Sequence, residues 1–129
     1  LQFISYTCNY EDTGILMIAA VAQDASLEQL TKDMDEEITR LQNELISEKE
    51  YEKLLNLFET TYVATNSNVQ GIAYSLAMDY TFFKDTNLIN KELDLYRKVT
   101  REDIRRVAKK YLNANQRLEI DYLPEKKSN

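Results

Sequence analysis

Glu11-Asp12-Thr13-Gly14-Ile15-Leu16-Met17-Ile18-Ala19-Ala20-Val21-Ala22 is the stretch on which the fold turns. Eight apolar residues follow a four-residue polar link that ends in glycine. So short an apolar run, rich in β-branched and aliphatic residues, suits a central strand better than a helix. Upstream, residues 1–10 carry Phe3, Ile4, Tyr6, Thr7 and Tyr10 in rough alternation with polar neighbours, which suits a half-exposed strand. The link between them closes on the residue that tolerates positive φ most easily, so the pattern predicts a β-hairpin.

From Ser26 the period changes. Leu27, Leu30, Met34, Ile38, Leu41 and Leu45 recur at steps of three and four, the spacing of one amphipathic helix. Ser26 with Gln29 has the capping-box spacing, and Ser47 with Glu50 repeats it, so a second helix is expected from about Glu48 with Tyr51, Leu54, Leu55, Phe58 and Tyr62 on its buried stripe. A break is expected near Asn66, within Thr65-Asn66-Ser67-Asn68, and Gly71 costs a helix about 1 kcal/mol relative to Ala. Ile72, Ala73, Leu76, Ala77 and Tyr80 mark a third helix. After a turn at Asp85-Thr86-Asn87, residues 88–99 read as a further helix. Thr100-Arg101-Glu102-Asp103 opens the last one, whose apolar face is Ile104, Val107, Ala108, Tyr111 and Leu112. Residues 117–123 then alternate as a final strand.

Two strands, four or five helices and one strand, without strand–helix alternation, describe an α+β fold. The expected architecture is an antiparallel sheet, made of the N-terminal hairpin plus a C-terminal strand, packed on one face by four or five helices. Residues 1–124 are expected to form a single unit, with 125–129 as a flexible tail. At 129 residues the chain can bury a core without disulfides or a structural metal. Its first residue is not Met and falls inside a predicted strand, so the chain reads as a fragment. No repeat of 30 to 40 residues is visible, which argues against a helical solenoid.

Composition removes several classes of function. With no His and only Cys8, the chain lacks the donors of the usual zinc sites, a Cys/His or Ser/His nucleophilic pair and a His general base, so alone it is not a hydrolase of these kinds. Gly14 and Gly71 lie too far apart to form a phosphate-binding loop. A net charge of −6 and the absence of Trp speak against a nucleic-acid surface. No apolar run approaches the roughly 20 residues that span a bilayer, and the single cysteine leaves the compartment open.

What chemistry remains sits in clusters with simpler explanations. Asp33, Asp35, Glu36 and Glu37 on the first helix and Glu48, Glu50 and Glu52 on the second lack calcium-loop spacing, and neighbouring helical carboxylates diverge. A solvated face is the expected reading. Arg97, Lys98, Arg101, Arg105, Arg106, Lys109 and Lys110 form a basic run that helix-dipole complementarity largely explains, because acidic residues open the last helix and basic ones close it. Tyr51, Tyr62, Tyr74, Tyr80 and Tyr111 fall mainly on apolar stripes, where core or interface packing is expected. Cys8 reads as a small strand residue.

Three strings, in this order and spacing, carry a family resemblance. They are residues 12–20 (DTGILMIAA), residues 46–56 (ISEKEYEKLLN) and residues 99–112 (VTREDIRRVAKKYL), the last followed by the strand that ends before Pro124. Over nearly the whole chain the order resembles the C-terminal-type, non-zinc domain of insulinase/pitrilysin-like zinc peptidases. That resemblance implies a non-catalytic supporting domain that helps to enclose and bind peptide, while an inverted zinc motif in another domain performs hydrolysis. It also implies zinc in the parent or partner domain and none in this chain. The implied partners are a homologous peptidase domain, in the same chain or a paired subunit, and peptide substrate. A substrate-binding Tyr of the family would fall near Leu1, which departs from the pattern, so no catalytic, cofactor or metal residue carries over. Two other readings stay open: an inactive structural homologue of the peptidase fold, and a helical interaction module using its Tyr-rich face.

Overall fold

A computed structural model describes residues 2–22 and 26–123. The expected tail, 125–129, lies outside the described residues. Strands β1 (Gln2–Asn9) and β2 (Gly14–Val21) pair antiparallel, with Gln2 opposite Val21 and Asn9 opposite Gly14. The link is closed by the Tyr10 N–H donating to the Thr13 carbonyl at 2.9 Å. Neither glycine has positive φ, so the turn forms without the left-handed residue that the sequence suggested. Gly14 is simply the first residue of β2.

The register places Ile4, Tyr6 and Cys8 with Ile15, Met17 and Ala19 on one face, and Phe3, Ser5 and Thr7 with Leu16, Ile18 and Ala20 on the other. Both faces stay substantially open: Phe3 is 49% exposed and Met17 43%. Among the described residues the sheet has two strands, so β2, expected to be central, is an edge.

The third strand is the clearest correction. Residues 117–123 join no ladder. Their alternation separates a charged row, Arg117, Glu119 and Asp121, from an apolar row, Leu118, Ile120 and Tyr122, and the charged row is the one that finds partners. Arg117 pairs with Asp35 and, at 3.1 Å, with Glu119, while the Thr31 hydroxyl donates to Glu119 at 3.1 Å. Leu118, Ile120 and Tyr122 remain at least 80% exposed. Ion pairing to a helix thus replaces a sheet edge as the anchor of this segment.

The helices are α1 (Leu27–Asn43), α2 (Glu48–Thr65), α3 (Val69–Phe83), α4 (Glu92–Tyr96) and α5 (Arg101–Tyr111). With the hairpin they make the α+β class read from the sequence. At α2 the capping box is complete: the Glu50 N–H donates to Ser47 Oγ at 3.2 Å and the Ser47 N–H to Glu50 Oε2 at 3.0 Å. At α1 only half of it forms. The Gln29 N–H donates to Ser26 Oγ, but the Gln29 side chain turns forward to Asp33 at 2.6 Å. Thr100 and Asp103 make the same reciprocal pair at α5, both bonds 3.1 Å long.

The helix expected over 88–99 is divided into a 3-10 turn at Thr86–Asn90 and the short α4. Short polar side chains cause this. Asp85 accepts the Asn87 N–H at 2.9 Å, Asn90 donates to the Asn87 side chain at 2.8 Å, and these local bonds favour the tighter turn over a continuing α-helix. The break at Asn66 falls where expected, with Asn66 ending α2 and the Asn68 side chain accepting the Gly71 N–H at 2.9 Å to cap α3. α3 ends on Lys84 in the left-handed conformation, its N–H donating to the Tyr80 carbonyl.

Contacts divide the chain into two units. The first takes its described residues from 1–43 and 106–129 and the second comprises 44–105. In the first unit Leu30 and Ala108 are buried, and the Gln42 amide donates to the Leu112 carbonyl at 2.6 Å. In the second unit Ile46 is buried, the 3-10 turn packs along α3, and the Phe58 and Tyr96 rings stack with centroids 3.4 Å apart. Among the described residues no helix is long and apolar enough to cross a membrane.

Candidate functional site

The carboxylates of α1 are separated by their partners. Asp33 accepts from Gln29, Asp35 from Arg117, Glu36 lies 3.8 Å from Lys32, and Glu37 lies 2.9 Å from Arg40. Each of these four acidic side chains thus meets a different partner, although Asp33 and Glu37, four positions apart, lie on the same face of the helix. On α2, Glu48 pairs with Arg101 at 2.7 Å and Glu50 is occupied by its cap. An open acidic groove does form in the first unit, between α1 and the 117–123 segment, with Glu28, Asp35, Glu36, Glu119 and Asp121 among its walls. Lys32 and Arg117 partly offset that charge.

The basic run is likewise dispersed. Arg97 is taken by Glu59 at 2.7 Å and by Asp94 at 3.5 Å, and Arg101 by Glu48. The Arg97 hydrogen bond holds the Glu59 carboxyl below its usual range, and Lys91 together with the Asn87 N–H does the same for Asp85. Lys110 lies over the Tyr111 ring at 4.9 Å. Lys98, Lys109 and Lys110 are exposed.

Of the five tyrosines, two do what the apolar stripes implied. The Tyr51 hydroxyl donates to the Val99 carbonyl at 2.6 Å and the Tyr62 hydroxyl to the Ile89 carbonyl, each with its ring half-buried. Tyr74, Tyr80 and Tyr111 are more than half exposed, because no second layer covers those helix faces among the described residues. Cys8 is half-buried with a free thiol.

The residue that pattern reading missed is Asp79. It is 7% exposed, and its Oδ2 has no hydrogen-bond partner among the described residues. In the second unit the charge of Asp79 bears on Glu92, at the start of α4, and on Tyr62 of α2. Burial, then the charge of Asp79, pushes the Glu92 carboxyl up. Burial also raises the phenols of Tyr62 and Tyr96, with Glu92 adding to both. A signal was present: Asp79 is the sole charged residue of α3.

This donor set does not suit zinc. The sequence has no His, and among the described residues no three His, Cys, Asp or Glu side chains converge as a metal site would require. No protein-family model matches the chain, and no curated protein matches it. Its fold does match a solved one. The chain is similar to the crystal structure of the "inactive peptidase domain of a putative zinc protease" from Bordetella parapertussis, with a TM-score of 0.83 and 20% identity over 98% of this chain and 68% of that one. The fold is therefore that of a zinc-protease-like peptidase domain.

Proposed function

We propose that this chain is a non-catalytic domain of the zinc-protease fold. What carries the reading is the combination of that fold over almost the whole chain with a sequence that contains no histidine. The C-terminal-type domain of an insulinase/pitrilysin-like peptidase is the finer assignment, supported by the three strings at residues 12–20, 46–56 and 99–112. In that role the domain walls a chamber and helps to hold extended peptide, while zinc and the hydrolytic step belong to a homologous domain in the same chain or a paired subunit. The hairpin, two-stranded among the described residues, is the natural place for an extended peptide to add as a strand.

A second reading, a structural homologue without activity anywhere in its assembly, is favoured by the inactive state of the similar Bordetella domain. One measurement separates the two. Zinc content and chelator-sensitive cleavage of a mixed peptide library, measured on the longest native chain that contains this domain, are expected to be positive for the supporting role. Deleting residues 1–124 is then expected to abolish cleavage; undiminished cleavage after deletion removes the supporting role, and a metal-free, inactive parent leaves the structural one.

A further inference from the structure

Helix α3 turns a small and polar side toward its own unit. That side carries Gly71, against the Thr65 carbonyl, Ser75, which donates to the Asn66 side chain at 2.9 Å, and the buried Asp79. Its apolar row, Val69, Ile72, Leu76, Tyr80 and Phe83, is centred about a third of a turn away and spans about a quarter of the helix circumference. The row is open: Val69 is 84% exposed, Phe83 67% and Tyr80 59%, with Leu76 half-buried between them. Single exposed apolar residues need no explanation, but a continuous row of them marks a surface that binds something. Asp79 is the sole charged residue of α3, so no charge stands along the row to repel a second apolar surface.

The spacing of the row points to its partner. Its steps are 3, 4, 4 and 3 residues, an order that reads the same in both directions about Leu76. Two such helices laid antiparallel across a two-fold axis at Leu76 set Val69 opposite Phe83 of the other copy and Ile72 opposite its Tyr80, at both ends of the seam. Each aromatic ring then meets a smaller β-branched side chain, the alternation of large and small by which facing helices interdigitate. One patch that is complementary to itself is what a two-fold interface requires. With Ala73 beside it, the row exposes roughly 600 Å2 per copy, so closing it removes roughly 1,200 Å2 from water, the lower end of the range for stable interfaces.

We propose that α3 is a self-association surface, through which two copies of this chain pair antiparallel about Leu76. An interface of this size gives a weak dimer whose population depends on concentration.

The test is sedimentation equilibrium of the whole chain across roughly 1 μM to 1 mM, with far-UV circular dichroism to follow folding. The unaltered chain is expected to pass from monomer to dimer within that range. Val69→Glu and Phe83→Lys put an acid at the start of α3 and a base at its end, which favours the helix itself, yet each is expected to weaken the dimer at least about tenfold. In the double variant the new charges face each other across the axis, so it is expected to dimerise more tightly than either single variant. Tyr74→Lys, at a position 63% exposed but off the row, is expected to leave the dimer unchanged. A chain that is monomeric throughout overturns the proposal. So does a dimer that survives Val69→Glu and Phe83→Lys, which runs through another surface such as the hairpin, or one that Tyr74→Lys weakens equally. A double variant no tighter than the single ones overturns it as well, because the antiparallel register is what brings positions 69 and 83 together.

Discussion

Two corners of the molecule pair a short polar link with a glycine, and they use it in opposite ways. At the hairpin, a Cβ added to Gly14 would meet the Cys8 carbonyl at 3.4 Å, an ordinary contact. At the corner between α2 and α3, a Cβ on Gly71 would fall 1.6 Å from the Thr65 carbonyl oxygen and 2.8 Å from its carbon. Neither glycine is needed for positive φ. The hairpin is shaped by local pairing and would form around another small residue, whereas the helical corner depends on two backbones approaching to a distance that only hydrogen permits.

The largest effect should come from breaking that contrast at its strong end. Gly71→Ala is expected to destabilise the second unit by about 3 kcal/mol, because the Thr65 carbonyl is backbone and cannot swing away. Gly14→Ala is expected to stay within about 0.5 kcal/mol. Urea unfolding of both variants, followed by far-UV circular dichroism, checks the pair, and equal losses would refute the distinction.

A smaller effect sharpens the same lesson at the helix starts. Ser47→Ala removes a complete reciprocal box and is expected to cost about 1 kcal/mol, while Ser26→Ala removes half of one and is expected to cost about 0.5 kcal/mol. Thermal melting in a single buffer ranks the two. The smallest effect is expected from Arg117→Ala, which releases residues 117–123 from Asp35 and Glu119. These partly exposed pairs contribute no more than about 0.5 kcal/mol, so the melting temperature should barely move while exchange at residues 117–123 quickens. A large drop in melting temperature would mean that this segment is part of a core after all.

Much of the fold was legible because much of it is local. The hairpin follows from a polar link beside an eight-residue apolar run, the α2 start from Ser47 and Glu50 three positions apart, and the break at Asn66 from four polar residues in succession. Residues 117–123 were misread because alternation defines the two faces of an extended segment but not whether a sheet edge lies within reach. The tyrosines were half misread for a related reason. A stripe at helical spacing marks the face that can be buried, and Tyr74, Tyr80 and Tyr111 show that a face so marked need not be covered.

The sequence by itself determined the α+β class and the starts of α1, α2 and α5, and it offers no histidine from which to build the usual zinc-hydrolase centre. Those features depend on residues within a few positions of each other, or on composition alone. Only the tertiary structure decided that Gly71 lies against Thr65, that Arg117 answers Asp35 on α1, and that the Tyr62 hydroxyl reaches the Ile89 carbonyl. Each of these brings together groups whose spacing along the chain carries no period, and their meeting depends on how helices pack rather than on any pattern a short window of sequence can display.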